Sequence, residues 1–151
     1  MHTLTRGVIA GATGTVALNA ATYTDMLVRA RPASSVPAEV ANELADRADV
    51  SLGEERTRTN RTQGAGALLG YVTGLGIGIG YSLAPRMMKN LPVWATGPVL
   101  GVAAMAGSDV PATVVGATDP KKWGVNAWLS DIIPHMVYGV TTAAVYRMLD
   151  R

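Results

Sequence analysis

Four ionisable side chains stand where charge is otherwise scarce. Asp25, Asp109, Asp131 and His135 lie in or beside long stretches that lack other Asp, Glu, Lys and Arg residues. Asp131 and His135 are four apart, which places them on one face of a helix. Asn19 and Tyr23 share that spacing just before Asp25, and Arg29 follows Asp25 by four. Three carboxylates and an imidazole in an apolar setting cannot all stay charged without compensation. Carboxylates that keep a proton there form a proton-binding site, and the same groups suit a small cation. Carbonyls freed by Pro111 and Pro134 would add ligands. Bland readings stand beside these. Asp25 with Arg29 is an i,i+4 ion pair, Asp131 a helix cap or interfacial residue, and His135 a hydrogen-bonded core histidine. Asp109 alone has no local partner. No metal is assigned to the group, and no cofactor is expected.

The elements that would position these groups follow from where charges are missing. Charge-free runs cover Gly7 to Thr24 (18 residues), Thr62 to Pro85 (24), Asn90 to Ser108 (19) and Ile132 to Tyr146 (15). A helix rises 1.5 Å per residue, so about 20 residues cross an apolar layer of about 30 Å. The spacing therefore predicts an all-α integral membrane four-helix bundle, one domain over 1–151, with spans at about 6–28, 64–85, 92–117 and 126–148. Composition agrees. Of 151 residues, 48% are hydrophobic and only 16% charged, against about 25% charged in a soluble domain. The spans are rich in Gly and Ala rather than Leu, which suits helices packed on one another. A buried soluble bundle is the alternative. Trp94, Trp123, Trp128, Tyr71, Tyr81 and Tyr146 fall near predicted span ends, as interfacial aromatics do.

With four spans, Asp25, Asp109, Asp131 and His135 share one half of the layer. Asp109 lies about eight residues before its span ends, roughly 12 Å deep. The polar loop 29–63 joins the first two spans on that side. Within it Pro37, Glu39 and the stripe Val36, Val40, Leu44 predict an amphipathic helix at 36–48, with Glu43 and Arg47 as an i,i+4 pair. Residues 53–63 read as a solvated linker or a polar lead-in to the second span. Basic residues number eight on the long-loop side and five on the other. That balance favours the long loop in the cytoplasm.

Gly66, Gly70, Gly74 and Gly78 repeat every four residues and lie along one helix face. Such a stripe brings another helix to backbone contact, within the chain or in a homo-oligomer. A weak internal repeat accompanies it: Gly74/Tyr81 matches Gly139/Tyr146, and Gly7/Gly11 matches Gly97/Gly101. Two hairpins in the same orientation would follow.

Several function classes are excluded. There is no Cys, so no disulfide, thiolate metal site or thiol nucleophile. No HExxH, GxSxG, phosphate-binding or dinucleotide-binding pattern is present, so an enzyme is not expected. A net charge of +2 does not call for a nucleic-acid partner.

Two segments carry a resemblance. The first span ends in Asp25-Met-Leu-Val-Arg-Ala-Arg-Pro32-Ala-Ser-Ser-Val-Pro37, and the last carries Trp128-Leu-Ser-Asp-Ile-Ile-Pro-His135-Met-Val-Tyr138-Gly139. The chain resembles the YagU-like group of small bacterial inner-membrane proteins over about half its length. It is shorter than that group and its polar loop differs. The resemblance implies a helical bundle in the bacterial inner membrane and no reaction. The expected function is binding or conduction of protons or a small cation through the Asp/His cluster. The alternative is a non-transporting accessory or scaffold subunit of a membrane complex.

Overall fold

The computed structural model describes all 151 residues and is all-α. Six helices account for it: α1 (Thr3–Arg29), α2 (Val36–Arg47), α3 (Glu55–Leu83), α4 (Arg86–Lys89), α5 (Val93–Val115) and α6 (Val125–Leu149). The four long helices match the four expected segments. The largest difference is at α3, which begins at Glu55, so the expected linker 53–63 is helical from that point. Its polar first turns are not solvated all round, because α2 packs on them. Arg58 ties the two, meeting both carboxylate oxygens of Asp46 and the amide oxygen of Asn42 at 2.5–2.6 Å.

The helices form a ring in the order α1, α3, α5, α6, each antiparallel to its neighbours. Glycine sets three of the four seams. A Cβ on Gly78 would sit 2.7 Å from Gly11 Cα, and one on Gly11 would meet the Gly74 carbonyl oxygen at 2.6 Å. Gly97 and Gly101 do the same against Val140 and the His135 carbonyl. Backbones this close gain dispersion and weak Cα–H bonds where Leu-on-Leu packing is absent. Gly66 lies under α2, against Pro37. Gly70 is the exception in the stripe: it is exposed, and a Cβ there would touch nothing.

The expected repeat has a spatial counterpart. Gly11 packs on Gly74 in the α1–α3 hairpin, and Gly101 packs on Gly139 in the α5–α6 hairpin. Tyr81 and Tyr146, matched by the same repeat, meet between the hairpins with ring centres 5.0 Å apart, edge to face. Both are buried, so neither is an interfacial aromatic as the sequence suggested. Trp94 is 79% exposed at the start of α5.

The amphipathic helix α2 lies on the bundle through Val40 and Ala41, while Leu44 turns outward. Arg47 does not pair with Glu43. It donates to the Val115 carbonyl at 3.2 Å, holding α2 to the end of α5. There α5 stops in a left-handed Gly116 (φ 86°), whose turn returns the Ala117 amide to the Ala112 carbonyl at 2.9 Å.

Packing in this bundle is inverted relative to a soluble domain. Leu100 and Val40 are the only buried large aliphatic side chains, while Leu27 is 84% and Val114 71% exposed. The accessible surface is 9093 Å², against roughly 7,300 Å² for a compact soluble protein of this mass. Helices α3 and α5 are long and apolar enough to cross a membrane, with best-window mean hydropathies of 1.3 and 1.4.

Two glycines on α3 test the packing account. Gly76→Ala, in open space, raises stability by about 0.5–1 kcal/mol through helix propensity. Gly78→Ala, against α1, lowers it by about 1–3 kcal/mol through overpacking. Equilibrium unfolding of both variants in detergent checks the opposite signs.

Candidate functional site

The expected Asp/His group separates into two sites at the α2 end of the bundle. The first is built by the end of α1. Ala30 adopts a left-handed conformation (φ 50°), which stops the helix and folds Arg31 back over its last turn. Asp25 then accepts from Arg29 at 2.6 and 2.7 Å and from Arg31 at 2.5 Å. Arg29 also reaches the Ser130 hydroxyl, joining α1 to α6. Asp25 is therefore an ion-paired clamp, the bland one of its two readings. A second clamp joins the same helices at the far end, between Arg6 and Asp150.

The second site belongs to α5 and α6. The close seam at Gly101 brings Ser108 and Asp109 against Asp131 and His135. His135 Nδ1 lies 2.8 Å from the Asp131 carbonyl and 3.2 Å from its carboxylate. Facing two acceptors, Nδ1 carries a proton. Nε2 lies 3.5 Å from the Ser108 hydroxyl, which donates to the Met105 carbonyl at 2.9 Å and sits 3.5 Å from Asp109. Ser108 thus stands between Asp109 on its own helix and His135 on α6. Asp131 and His135 are mostly buried, with side chains 19% and 14% exposed. One oxygen, Asp131 Oδ2, is wholly buried with no donor. With Asp109 beside Ser108 and Asp131 beside His135, two carboxyl groups share one partly buried cluster, which suits a proton held within it. Asp131 lies in the second turn of α6 and is not a helix cap.

The supporting residues fare differently. Tyr23 is 63% exposed and joins neither site. Asn19 is half-buried at the level of Gly70, since Thr15 meets Gly74 one turn away. Tyr138 meets Gly74 and Gly107 meets Thr73, so this is also the level of Asp109 and His135. Pro111 and Pro134 lie inside α5 and α6 as expected. Each deprives a carbonyl of its amide donor, at Gly107 and Ser130.

Sequence reasoning missed what continues from this site. The five largest fully buried side chains are Tyr138, Tyr146, Thr96, Thr142 and Ser82, and every one bears a hydroxyl. The Tyr138 hydroxyl crosses the bundle and donates to the Gly74 carbonyl at 2.6 Å. Thr142 Oγ1 is buried without a partner. Tyr146 and Ser82 lie beyond it, 3.5 Å apart from hydroxyl to carbonyl. The signal was present in α6: Asp131, His135, Tyr138, Thr142 and Tyr146 recur at intervals of four, three, four and four, a polar stripe at helical spacing.

Compared with protein-family models, curated proteins and solved structures, the chain matches none.

The Asp25 clamp makes a prediction distinct from the acid pair. Asp25→Asn leaves two guanidinium groups without their shared counter-charge and lowers the melting temperature. Its carboxylate is ion-paired throughout, so the loss is equal at about pH 5 and about pH 8. Thermal unfolding at the two pH values checks it.

Proposed function

We propose that this chain is a multi-pass membrane protein, with α1, α3, α5 and α6 as spans, that binds a proton at Asp109, Asp131 and His135 and conducts it along the bundle axis. The observation that carries this reading is the core itself: its five largest fully buried side chains, Tyr138, Tyr146, Thr96, Thr142 and Ser82, all bear a hydroxyl. Four of these hydroxyls donate to backbone carbonyls and Thr142 Oγ1 has no partner. Buried hydroxyls in succession are groups that can pass a proton, and intramembrane Asp and His residues mark proton relays.

Membrane placement is supported by the inverted packing. In the α3 and α5 windows only 28% is buried, whereas the core helix of a soluble domain is mostly buried. A soluble bundle with two buried large aliphatic residues would lack the apolar burial that drives folding in water. Helices α1 and α6 hold no window as apolar as those of α3 and α5. On them Thr15, Tyr138 and Thr142 are buried, while Val16 and Ile133 are exposed. The resemblance to the YagU-like group adds a bacterial inner-membrane location.

A proton suits the site better than a metal cation. Asp109, Asp131 and His135 share a cluster but do not converge closely enough to ligate one ion together. The orphaned Asp131 oxygen needs a single hydrogen, which the neighbouring carboxyl can share.

Proton flux in proteoliposomes tests the reading, with equal incorporation of each variant. Asp109→Asn removes the shared proton and lowers flux by roughly ten-fold or more. Thr142→Val keeps shape and lowers flux by a similar factor, since it deletes one hydroxyl of the line. An absence of flux from well-incorporated wild type overturns the proposal and leaves the accessory-subunit reading.

A further inference from the structure

At the end of the bundle away from the acid pair lies a cavity of about 360 Å³. Its walls are Lys89 and Asn90 from the α4 turn, and Tyr146, Arg147, Asp150 and Arg151 from the end of α6. We infer that this cavity binds a phosphate-bearing headgroup, held by Lys89, Arg147 and Arg151.

The charge arithmetic supports an anion. Three cations line the space against one acid, and that acid is already engaged, because the Asp150 carboxylate pairs with Arg6 of α1. Arg147 and Arg151 have no carboxylate or carbonyl partner within the chain. Lys89 spends one N–H on the Ser82 carbonyl at 3.2 Å and rests 5.9 Å from the Tyr146 ring centre, leaving two donors free. Two guanidinium forks and an ammonium match the several oxygens of a phosphate, with the forks binding in pairs. Asn90 supplies both a donor and an acceptor for a polar headgroup.

Position selects the phosphate carrier. The cavity lies at the same end of the bundle as the exposed Trp94, the level where aromatic side chains meet lipid headgroups. Basic pockets between helices at that level take anionic lipid heads. A free phosphate ester offers the same oxygens from solution. The inference shares with the proton reading only the placement of the chain in a bilayer. Neither Asp109 nor His135 takes part in it.

Native mass spectrometry of the detergent-solubilised full chain, titrated with phosphatidylglycerol, phosphatidylcholine or inorganic phosphate, tests it. One phosphatidylglycerol is expected to bind, preferred over phosphatidylcholine by roughly ten-fold or more. The variant Lys89→Gln/Arg147→Gln/Arg151→Gln loses that preference, and Arg147→Gln alone, the milder change to the fold, loses part of it. A control, Lys121→Gln/Lys122→Gln, removes charge at the other end and keeps the preference. Competition by inorganic phosphate, with the same variant dependence, supports the site and assigns it to a soluble phosphate. Equal binding of the two lipids, or equal losses in Arg147→Gln and the control, overturns the inference. A protein without proton flux that still shows the preference separates this site from the proton path.

Discussion

The bundle depends on close approach of backbones around one buried tyrosine. Tyr138 reaches from α6 across the axis to the Gly74 carbonyl, through space that Gly14 and Gly74 leave open. A Cβ on Gly14 would lie 2.9 Å from the Tyr138 ring. Larger residues there would push α1 from α6 and break the hydrogen bond to α3. In water such a bond adds about 1 kcal/mol. Its greater effect here is on register. It fixes which turn of α6 faces which turn of α3, and so where Asp131 and His135 sit against α5. Two contacts hold α1 against α6 at the ends of that seam: Arg29, itself fixed by Asp25, reaches Ser130, and Arg6 pairs with Asp150.

Pseudo-symmetry explains much of the remaining architecture. The hairpins α1–α3 and α5–α6 use matched glycines for their seams, and Tyr81 and Tyr146 meet where the hairpins face each other. The symmetry is broken in the side chains. Only α5 and α6 carry Asp109, Asp131 and His135, while α1 carries the Asp25 ion pairs and α3 supports α2. One hairpin thus carries the acidic cluster and the other closes the ring.

Much of this was legible in the residues. Missing charges gave the number of long helices and nearly all their ends, and the stripe Val36, Val40, Leu44 with Pro37 gave α2. The start of α3 was not legible, because its polar first turns have no hydrophobic period and are helical through contact with α2. Three of the four stripe glycines pack as their spacing implies, but Gly70 does not, since spacing names a face and not what covers it. The group Asp25, Asp109, Asp131 and His135 was placed correctly in one half of the bundle. Its division into a clamp and an acid pair depended on Arg31, whose return over Asp25 needs the left-handed turn at Ala30. The hydroxyl line was overlooked because Tyr81 and Tyr146 were read as interfacial aromatics and the Thr residues were given no polar role, whereas both tyrosines, Thr96 and Thr142 are buried.

The central claim is that the Asp109–Asp131 pair holds a proton within the bundle. Infrared spectroscopy of the protein in a lipid bilayer at neutral pH, compared with Asp109→Asn, reads that proton from the carbonyl stretch of a protonated carboxyl group. The account predicts such a band in the wild-type chain, shifted in heavy water and absent from Asp109→Asn. A wild-type spectrum with no protonated carboxyl band, all carboxylates being ionised, would contradict it.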